Sequence, residues 1–323
     1  MRLVIFENAY FLQSLGWAIV NSLWQSALLL FLYKLIRLAD KKSASFRYNL
    51  GLVCLFFSFA WFIVTLMQGY VFFKNESSVS NILINSEYTQ QLNKIVSYFS
   101  ILYLGSLFFY SIRFTKNYIN TNALKKNGLV KVPVELRIFI SQTALNLGIK
   151  NKVQVWLSEH VNVPSVIGFI KPVVLLPIGF CSHLTTEQAE AILLHELAHI
   201  KRNDYLINIL QSIIELVLFF NPFVRVLNDS IKKERENCCD DYVMNYQYDQ
   251  YNYANALLIL EEQRTNQLAF TMASSNGQMN LLNRIKRLKN LEHNSYSKPL
   301  EKTIHDWFKY NSDNEYDCIF TND

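Results

Sequence analysis

Three stretches without a charged residue constrain this chain of 323 residues more than any other feature of its sequence. No Asp, Glu, Lys or Arg lies within residues 9–33, 48–73 or 95–112. A helix rises about 1.5 Å per residue and the hydrocarbon layer of a membrane is about 30 Å thick, so the first two stretches cross it easily and the third just reaches across. We therefore predict that residues 1–113 form a transmembrane region of three helices.

The composition agrees with a membrane protein and argues against other classes. Hydrophobic residues make up 51% of the chain and charged residues 18%, which excludes an intrinsically disordered protein. The formal net charge of +5 is too small an excess to indicate binding to nucleic acid. The five cysteines are an odd number without the spacing of a disulfide framework, so we expect reduced thiols.

The basic residues predict how the spans are oriented. The loop after the first span carries five Lys or Arg residues, and five more lie between Arg113 and Lys131. The loop between the second and third spans contains only Lys74 and Lys94, together with two glutamates. Basic loops stay on the cytoplasmic side of the membrane. We therefore expect the N-terminus outside and everything after residue 113 to begin in the cytoplasm.

One stripe of the first span is polar. It contains Ser14, Asn21, Ser22, Gln25 and Ser26, which fall close together on a helical surface. Polar side chains at membrane depth usually face other helices, where they form hydrogen bonds. The stripe predicts a helix interface, either ordinary bundle packing or a polar groove.

The pattern from residue 114 to about 290 is that of a soluble domain, and residues 291–323 form a polar tail. A helix is predicted over residues 133–147, ending at Gly148. Residues 153–157 form a β-prone run, and Gly168 and Pro172 interrupt two more within residues 166–177. This pattern favours a β-hairpin.

The next predicted helix carries the residues with the clearest chemistry. Thr185 is its expected N-cap, with Gln188 as the capping-box partner. His195 and His199 stand one turn apart on the same face, where two imidazoles can bind one metal ion. Zinc accepts neutral nitrogen ligands and lowers the pKa of its bound water to about 7. Glu196 is placed to take that water's proton and pass it to a leaving amine.

A catalytic zinc site has three protein ligands and an open position, so a third ligand is needed. Glu236 is the preferred candidate, and Glu234, on another face of the same predicted helix, is the reserve. Cys238 and Cys239 are soft enough to bind zinc, but thiolate ligands are more typical of closed structural sites. We expect the two cysteines to be small buried hydrophobes.

Two aspartates are candidates to support the ligands. Asp240 lies one turn after Glu236 and can accept a hydrogen bond from a ligand histidine, which fixes the tautomer of the ring. Asp204 can do the same or be an ordinary carboxylate at a helix end. Residues 205–236 must also return the chain to the zinc. Since one full crossing would put Glu236 on the wrong side of the membrane, we predict a helical hairpin in or near the cytoplasmic leaflet.

These residues together resemble the M56 family of bacterial membrane zinc metallopeptidases, the group of the β-lactam sensor-transducers. The similarity covers about residues 10–290. It is carried by Leu15–Trp17, Ser22–Gln25, Val166–Pro172, Leu175–Pro177, Leu184–Tyr205 with its His-Glu-x-x-His motif, Asn221-Pro222, Glu234–Asp241 and Tyr253–Leu257.

The resemblance implies one zinc ion held by His195, His199 and Glu236, with Glu196 as the catalytic carboxylate. It implies a multi-pass protein of the bacterial cytoplasmic membrane with its zinc site facing the cytoplasm. The expected fold is an α-helical membrane protein with an α+β, zincin-like domain, in which a small sheet packs on the zinc helix. The expected partners are a protein or peptide substrate, the lipid bilayer and, as a candidate, a second copy of the chain in a homodimer.

The predicted function is therefore zinc-dependent hydrolysis of peptide bonds in a cytoplasmic or membrane-proximal protein, with regulatory signalling as the candidate context. Two alternatives are a non-catalytic signal transducer with a structural zinc site and a housekeeping membrane protease of the M48 type. Family members generally continue into another span and an extracytoplasmic domain, whereas residues 290–323 are polar. The antibiotic-sensing role of the family is accordingly not expected from this sequence.

A last expectation concerns how substrate is held. Zinc proteases of this type commonly align an extended substrate with an edge strand, through hydrogen bonds between main chains. The predicted hairpin directly precedes the zinc helix. We expect it to form one wall of the cleft, with Val173, Val174, Leu175 and Leu176 as an edge strand that binds substrate.

Overall fold

The computed structural model describes residues 10–39, 43–79, 87–125, 127–246, 248–268 and 275–291. The fold is mostly helical and includes one small mixed sheet. One compact unit extends to Ser275. Helix α10 (Ser275–Leu291) makes up nearly all of the described part of a second unit, which begins at Asn276. The predicted tail lies outside the described residues beyond Leu291.

Three helices contain the charge-free stretches of the sequence: α1 (Tyr10–Ala39), α2 (Ala44–Val79) and α3 (Glu87–Ala123). Each is long and apolar enough to cross a membrane. Helix α1 packs against both α2 and α3. Residue 9, the first of the predicted spans, lies outside the described residues.

Most of the polar stripe of α1 faces other helices, as predicted, whereas Asn21 donates a hydrogen bond within α1 itself. Ser22 and Ser26 are buried, and the Asn221 side-chain amide donates hydrogen bonds to the Ser22 carbonyl oxygen at 3.0 Å and to Ser26 Oγ at 3.1 Å. Gln25 Nε2 donates to Thr65 Oγ1 at 3.0 Å. The stripe therefore joins α1 to α2 and to the turn before a later helix.

After α3 the chain forms helix α4 (Val134–Asn146) and four strands, the first of which precedes α4. The strands are β1 (Leu129–Val130), β2 (Gln154–Ser158), β3 (Ser165–Ile167) and β4 (Val173–Pro177). Their order in the sheet is β1-β2-β4-β3. Strand β4 runs parallel to β2, whereas β3 and β4 form the antiparallel pair that the sequence indicated.

The expectation that residues 173–176 form an edge strand is wrong. Strand β4 lies between β2 and β3, and all five of its residues are buried. The reason lies in its unbroken apolar sequence, which is typical of a strand covered on both faces and paired on both sides. The edge strand on this side of the sheet is β3, which contacts the helix that carries His195 and His199.

Two helices lead from the sheet to the centre of the domain: α5 (Phe180–His183) and α6 (Thr186–Lys201). The predicted capping box is present at the start of α6, because Thr185 Oγ1 accepts from the Gln188 amide and Gln188 Oε1 accepts from the Thr185 amide. Leu193, Leu194 and Leu197 are fully buried. Helix α6, which we call the motif helix because it carries His195, Glu196 and His199, is therefore anchored in the core.

The chain then returns through α7 (Asp204–Val217) and α8 (Pro222–Asn245). Gln211 donates to Asn228 at 3.0 Å, and Arg235 donates to Gln211 and to Asn208. These contacts pair later residues of α8 with earlier residues of α7, so the two helices are antiparallel. Helix α9 (Gln250–Leu268) follows and packs on α6.

We expect Gly16 to be essential for the packing of α1 against α3. A Cβ atom at this position would lie 2.6 Å from the Val96 carbonyl oxygen and 2.8 Å from Ser100 Oγ. Gly16→Ala should therefore push the helices apart and lower the free energy of unfolding by about 1–3 kcal/mol. Thermal unfolding in detergent measures the change. Gly105→Ala on α3, which meets no atom within 4 Å, is the control. Equal stability of the two variants would contradict the prediction.

Candidate metal centre

Helices α6 and α8 bring two imidazoles and a carboxylate together. His195 Nε2 lies 3.5 Å from Glu236 Oε2, and His199 Nε2 lies 4.0 Å from the same oxygen. The His195 side chain is 6% exposed, while that of Glu236 is 34% exposed. We call these three candidate ligands the metal cluster. The cluster is buried on the side of α6 and accessible on the side of α8.

These donors fit one metal ion. Two ligands bound about 2.0–2.1 Å from a tetrahedral ion lie about 3.4 Å apart, close to the separations from Glu236 to the two histidines. All three ligand atoms lie within 4.8 Å of one another. Two neutral imidazoles with one carboxylate are also a donor set of catalytic zinc sites.

Asp204 orients the second imidazole. His199 Nδ1 lies 2.8 Å from Asp204 Oδ2. Burial opposes ionisation of Asp204, but the hydrogen bond to His199 and the nearby Arg202 charge hold the pKa of this carboxyl below its ordinary value. A carboxylate can only accept, so His199 donates from Nδ1. In the neutral ring this tautomer has its lone pair on Nε2, the atom that lies toward Glu236.

Asp240 and Tyr253 both lie against Nδ1 of the His195 ring. Tyr253 Oη lies 2.9 Å from His195 Nδ1 and donates to Asp240 Oδ1 at 2.8 Å. His195 Nδ1 is also 3.4 Å from that oxygen. Because the single hydroxyl proton goes to the carboxylate, His195 donates from Nδ1 to the tyrosine oxygen. Nε2 of His195 is thereby also left as an acceptor.

A residue of the second apolar helix reaches the same network. Tyr48 of α2 donates to Asp204 Oδ1 at 3.3 Å, and the Arg202 guanidinium lies 4.6 Å from the centre of its ring. Arg202 also pairs with Asp204. The carboxylate that orients His199 is thus held from the motif helix and from α2 at once.

The reserve ligand Glu234 lies apart from the histidines. Its buried carboxylate pairs with Arg47 at 3.1 Å and with Arg37 at 3.5 Å, and it accepts from Asn237. Residues i and i+2 of a helix are rotated by about 200° around its axis. Glu234 and Glu236 therefore occupy nearly opposite faces of α8. The structure therefore does not bring Glu234 into the metal cluster.

Both adjacent cysteines are buried. Cys239 Sγ lies 3.3 Å from His199 Nδ1 and 3.7 Å from Asp204 Oδ2. It could join these two residues as a second ligand group, but it would share the imidazole nitrogen that Asp204 already engages. Burial raises the pKa of the Cys239 thiol well above its ordinary value, which disfavours the thiolate that binds metals.

Glu196 follows the first histidine on α6 and is 8% exposed, at the margin of the core. A cavity of about 300 Å³ lies beside His199, and Val166 of β3 lines it. None of the four β4 residues expected to bind substrate, Val173, Val174, Leu175 and Leu176, lines this cavity. The sheet therefore approaches the metal cluster through β3.

Sequence reasoning missed two residues of the network. Tyr253 lies in one of the segments that carry the family resemblance, which was the one signal that pointed to it. Tyr48 lies in an apolar stretch 156 positions before its partner Asp204, and no local pattern links the two.

A family model and several curated proteins match this chain. The family model described as BlaR1 peptidase M56 matches residues 26–288. The methicillin resistance protein MecR1 of Staphylococcus aureus strain Mu50 is 25% identical over 202 residues, which cover 60% of this chain and 34% of MecR1. The regulatory protein BlaR1 of Bacillus licheniformis is 32% identical over 121 residues, which cover 38% of this chain and 20% of BlaR1.

The regulatory protein BlaR1 of Staphylococcus aureus is 24% identical over 151 residues, which cover 45% of this chain and 25% of that protein. The chain thus spans about a third or less of the length of these curated relatives. The family match extends over most of the chain and includes both helices of the metal cluster. The chain therefore belongs to the M56 peptidase family, as the sequence resemblance predicted.

Proposed function

We propose that this protein is a membrane zinc metalloendopeptidase that cleaves a cytoplasmic or membrane-proximal protein. The observation that carries the proposal is the convergence of His195, His199 and Glu236 with both Nδ1 atoms engaged by hydrogen bonds. That arrangement leaves three donors for one ion. Membership of a peptidase family supports the same reading.

His195, His199 and Glu236 would hold the zinc ion, and Asp204, Tyr253 and Asp240 would keep the two imidazoles in the required tautomer. Zinc supplies a Lewis acid that polarises the scissile carbonyl and acidifies water. Glu196 takes the proton of the attacking water and delivers it to the leaving amine. Glu196 directly follows His195 on α6 and is buried, which supports this role.

The domain is proposed to follow a zincin-like plan in which β3 provides the substrate edge. Strand β3 pairs with β4 on one side and contacts α6. An extended substrate can add to the free side of such a strand through main-chain hydrogen bonds. This assigns to β3 the role that the sequence had suggested for β4.

The proposed location is a bacterial cytoplasmic membrane, with the N-terminus outside and the metal cluster on the cytoplasmic side. Leu206, Leu210 and Ile213 form an exposed apolar row along α7. Such a row is suited to contact with lipid, which supports a hairpin of α7 and α8 at the cytoplasmic leaflet. The region before residue 114 would then be the anchor and residues 114–290 the peptidase domain.

The name of BlaR1, a regulatory protein, supports a role in regulatory signalling. The proposed substrate is accordingly a regulatory protein. A purely structural zinc site is a weaker alternative because such a site has no use for Glu196 beside the first ligand. The M48-type alternative loses support because the family model that matches the chain is that of M56.

The first prediction separates metal binding from catalysis. Purified in detergent, the protein should bind about one zinc ion, and His195→Ala or His199→Ala should abolish both zinc binding and proteolysis. Glu196→Gln should retain zinc and lose hydrolysis by at least about a hundredfold. Metal analysis and cleavage of a dye-labelled disordered protein provide the measurements. Full activity of Glu196→Gln would refute the mechanism.

The second prediction concerns the residues that orient the histidines. Asp204→Asn and Tyr253→Phe should weaken zinc affinity by about tenfold to a hundredfold, because the imidazole tautomers are no longer fixed. Competition with a chelating dye measures this affinity. Tyr248→Phe is a matched control, since its hydroxyl donates to Glu190 and not to the metal cluster. Unchanged affinity in both test variants would contradict the assigned roles.

The third prediction concerns topology. Reporters fused after Lys126 and after Asp241 should both lie in the cytoplasm, and one fused near residue 80 should lie outside. Alkaline phosphatase and green fluorescent protein fusions distinguish the two sides. Opposite locations for the first two reporters would be incompatible with a ligand role for Glu236.

A further inference from the structure

A second and larger cavity lies between α4 and the sheet. Its volume is about 660 Å³. Its apolar floor includes Ile140 and Ala144 of α4 with Val155 and Trp156 of β2. We call it the basic groove because four cationic residues line it: Lys131, Arg137, Lys150 and Lys152.

The charge of the basic groove is of one sign. No Asp or Glu is among the residues that line it. All four cationic residues are exposed, and none of them forms a salt bridge within the described part of the chain. Clustered like charges repel one another, and an acidic ligand relieves that repulsion. The groove is therefore complementary to a negatively charged occupant.

The basic groove adjoins the cavity beside His199. Ile149, Lys150 and Asn151 line both cavities. The smaller cavity in turn reaches His199 and Val166 of the free strand β3. A chain that lies along β3 can thus extend past Lys150 into the basic groove.

We propose that the basic groove binds an acidic segment of the protein substrate, at a distance from the peptide bond that is cut. This inference rests on the proposed peptidase function. Its apolar floor suits side chains interspersed among the acidic ones, and its recessed shape suits a polypeptide better than the flat surface of a bilayer. Charge complementarity of this kind chiefly sets encounter rate and partner choice.

Binding is tested separately from cleavage in the full-length, zinc-loaded Glu196→Gln protein. The probe is a fluorescein-labelled peptide of alternating Glu and Ala, compared with one of alternating Ser and Ala, by fluorescence anisotropy at low salt. The acidic peptide should bind more tightly, and Arg137→Glu or Lys152→Glu should weaken it by about five- to tenfold. Lys289→Glu, an exposed lysine on α10, changes net charge equally and should have no effect.

Two results would overturn the proposal at this stage. One is equal binding of the two peptides, and the other is an equal loss in the groove variants and in the control. Competition with short-chain phosphatidylglycerol and phosphatidylcholine tests a lipid occupant. Phosphatidylglycerol could displace the acidic peptide at a lower concentration than the peptide needs for half-maximal binding. In that case the groove is a headgroup site and the proposal fails.

The active protein then tests the link to catalysis. A disordered protein with a Glu-rich flank should be cleaved with a lower KM than one with a Ser-rich flank, at similar kcat, and Arg137→Glu should remove the difference. If the proteins with the Glu-rich and the Ser-rich flank were cleaved with the same KM, the groove would be refuted as a substrate site, while the peptidase proposal would stand. If no protein is cleaved but the acidic peptide still binds through Arg137, the peptidase proposal fails and the groove remains a binding site for acidic segments.

Discussion

The approach of α8 to α6 is the constraint on which the rest of the structure depends. Two histidines one turn apart supply only part of a metal site, and the remaining carboxylate lies 37 positions beyond His199 in Glu236. The chain returns because α7 and α8 are antiparallel and joined at a buried Asn221. The side chain of Asn221 both caps α8 and donates to α1. One amide thus fixes the turn of the hairpin to the first apolar helix.

The metal cluster is also built from elements that are far apart in sequence. Asp204 follows the motif helix directly, whereas Asp240 and Tyr253 come from α8 and the next helix, α9. Tyr48 adds a contact from α2. Each imidazole therefore has its own carboxylate. The Tyr253 hydroxyl contacts the first ring directly, whereas Tyr48 supports the second ring through Asp204. These contacts hold both rings in place, which favours a preformed metal site.

Local patterns were sufficient for the parts of the fold that depend on neighbouring residues. The capping box at Thr185 and the two histidines of α6 follow from spacing along one helix. The central position of β4 in the sheet could not be predicted from a local pattern. Its parallel partner β2 is separated from it in sequence by a connection that contains β3. Choosing between Glu234 and Glu236 likewise required knowledge of which face of α8 meets α6. Tyr48 and the basic groove were beyond reach, since both arise from contacts between distant segments.

The opposite placement of Glu234 and Glu236 on one helix has a thermodynamic consequence. Glu234 is 1% exposed and pairs with Arg37 and Arg47, which belong to α1 and α2. A rotation of α8 that withdrew Glu236 from the imidazoles would also separate these buried charges, which is costly. The two events are therefore linked, and linkage is reciprocal. Whatever strengthens the arginine pairs should strengthen metal binding, and a bound metal should in turn hold the neighbouring ends of the two apolar helices together.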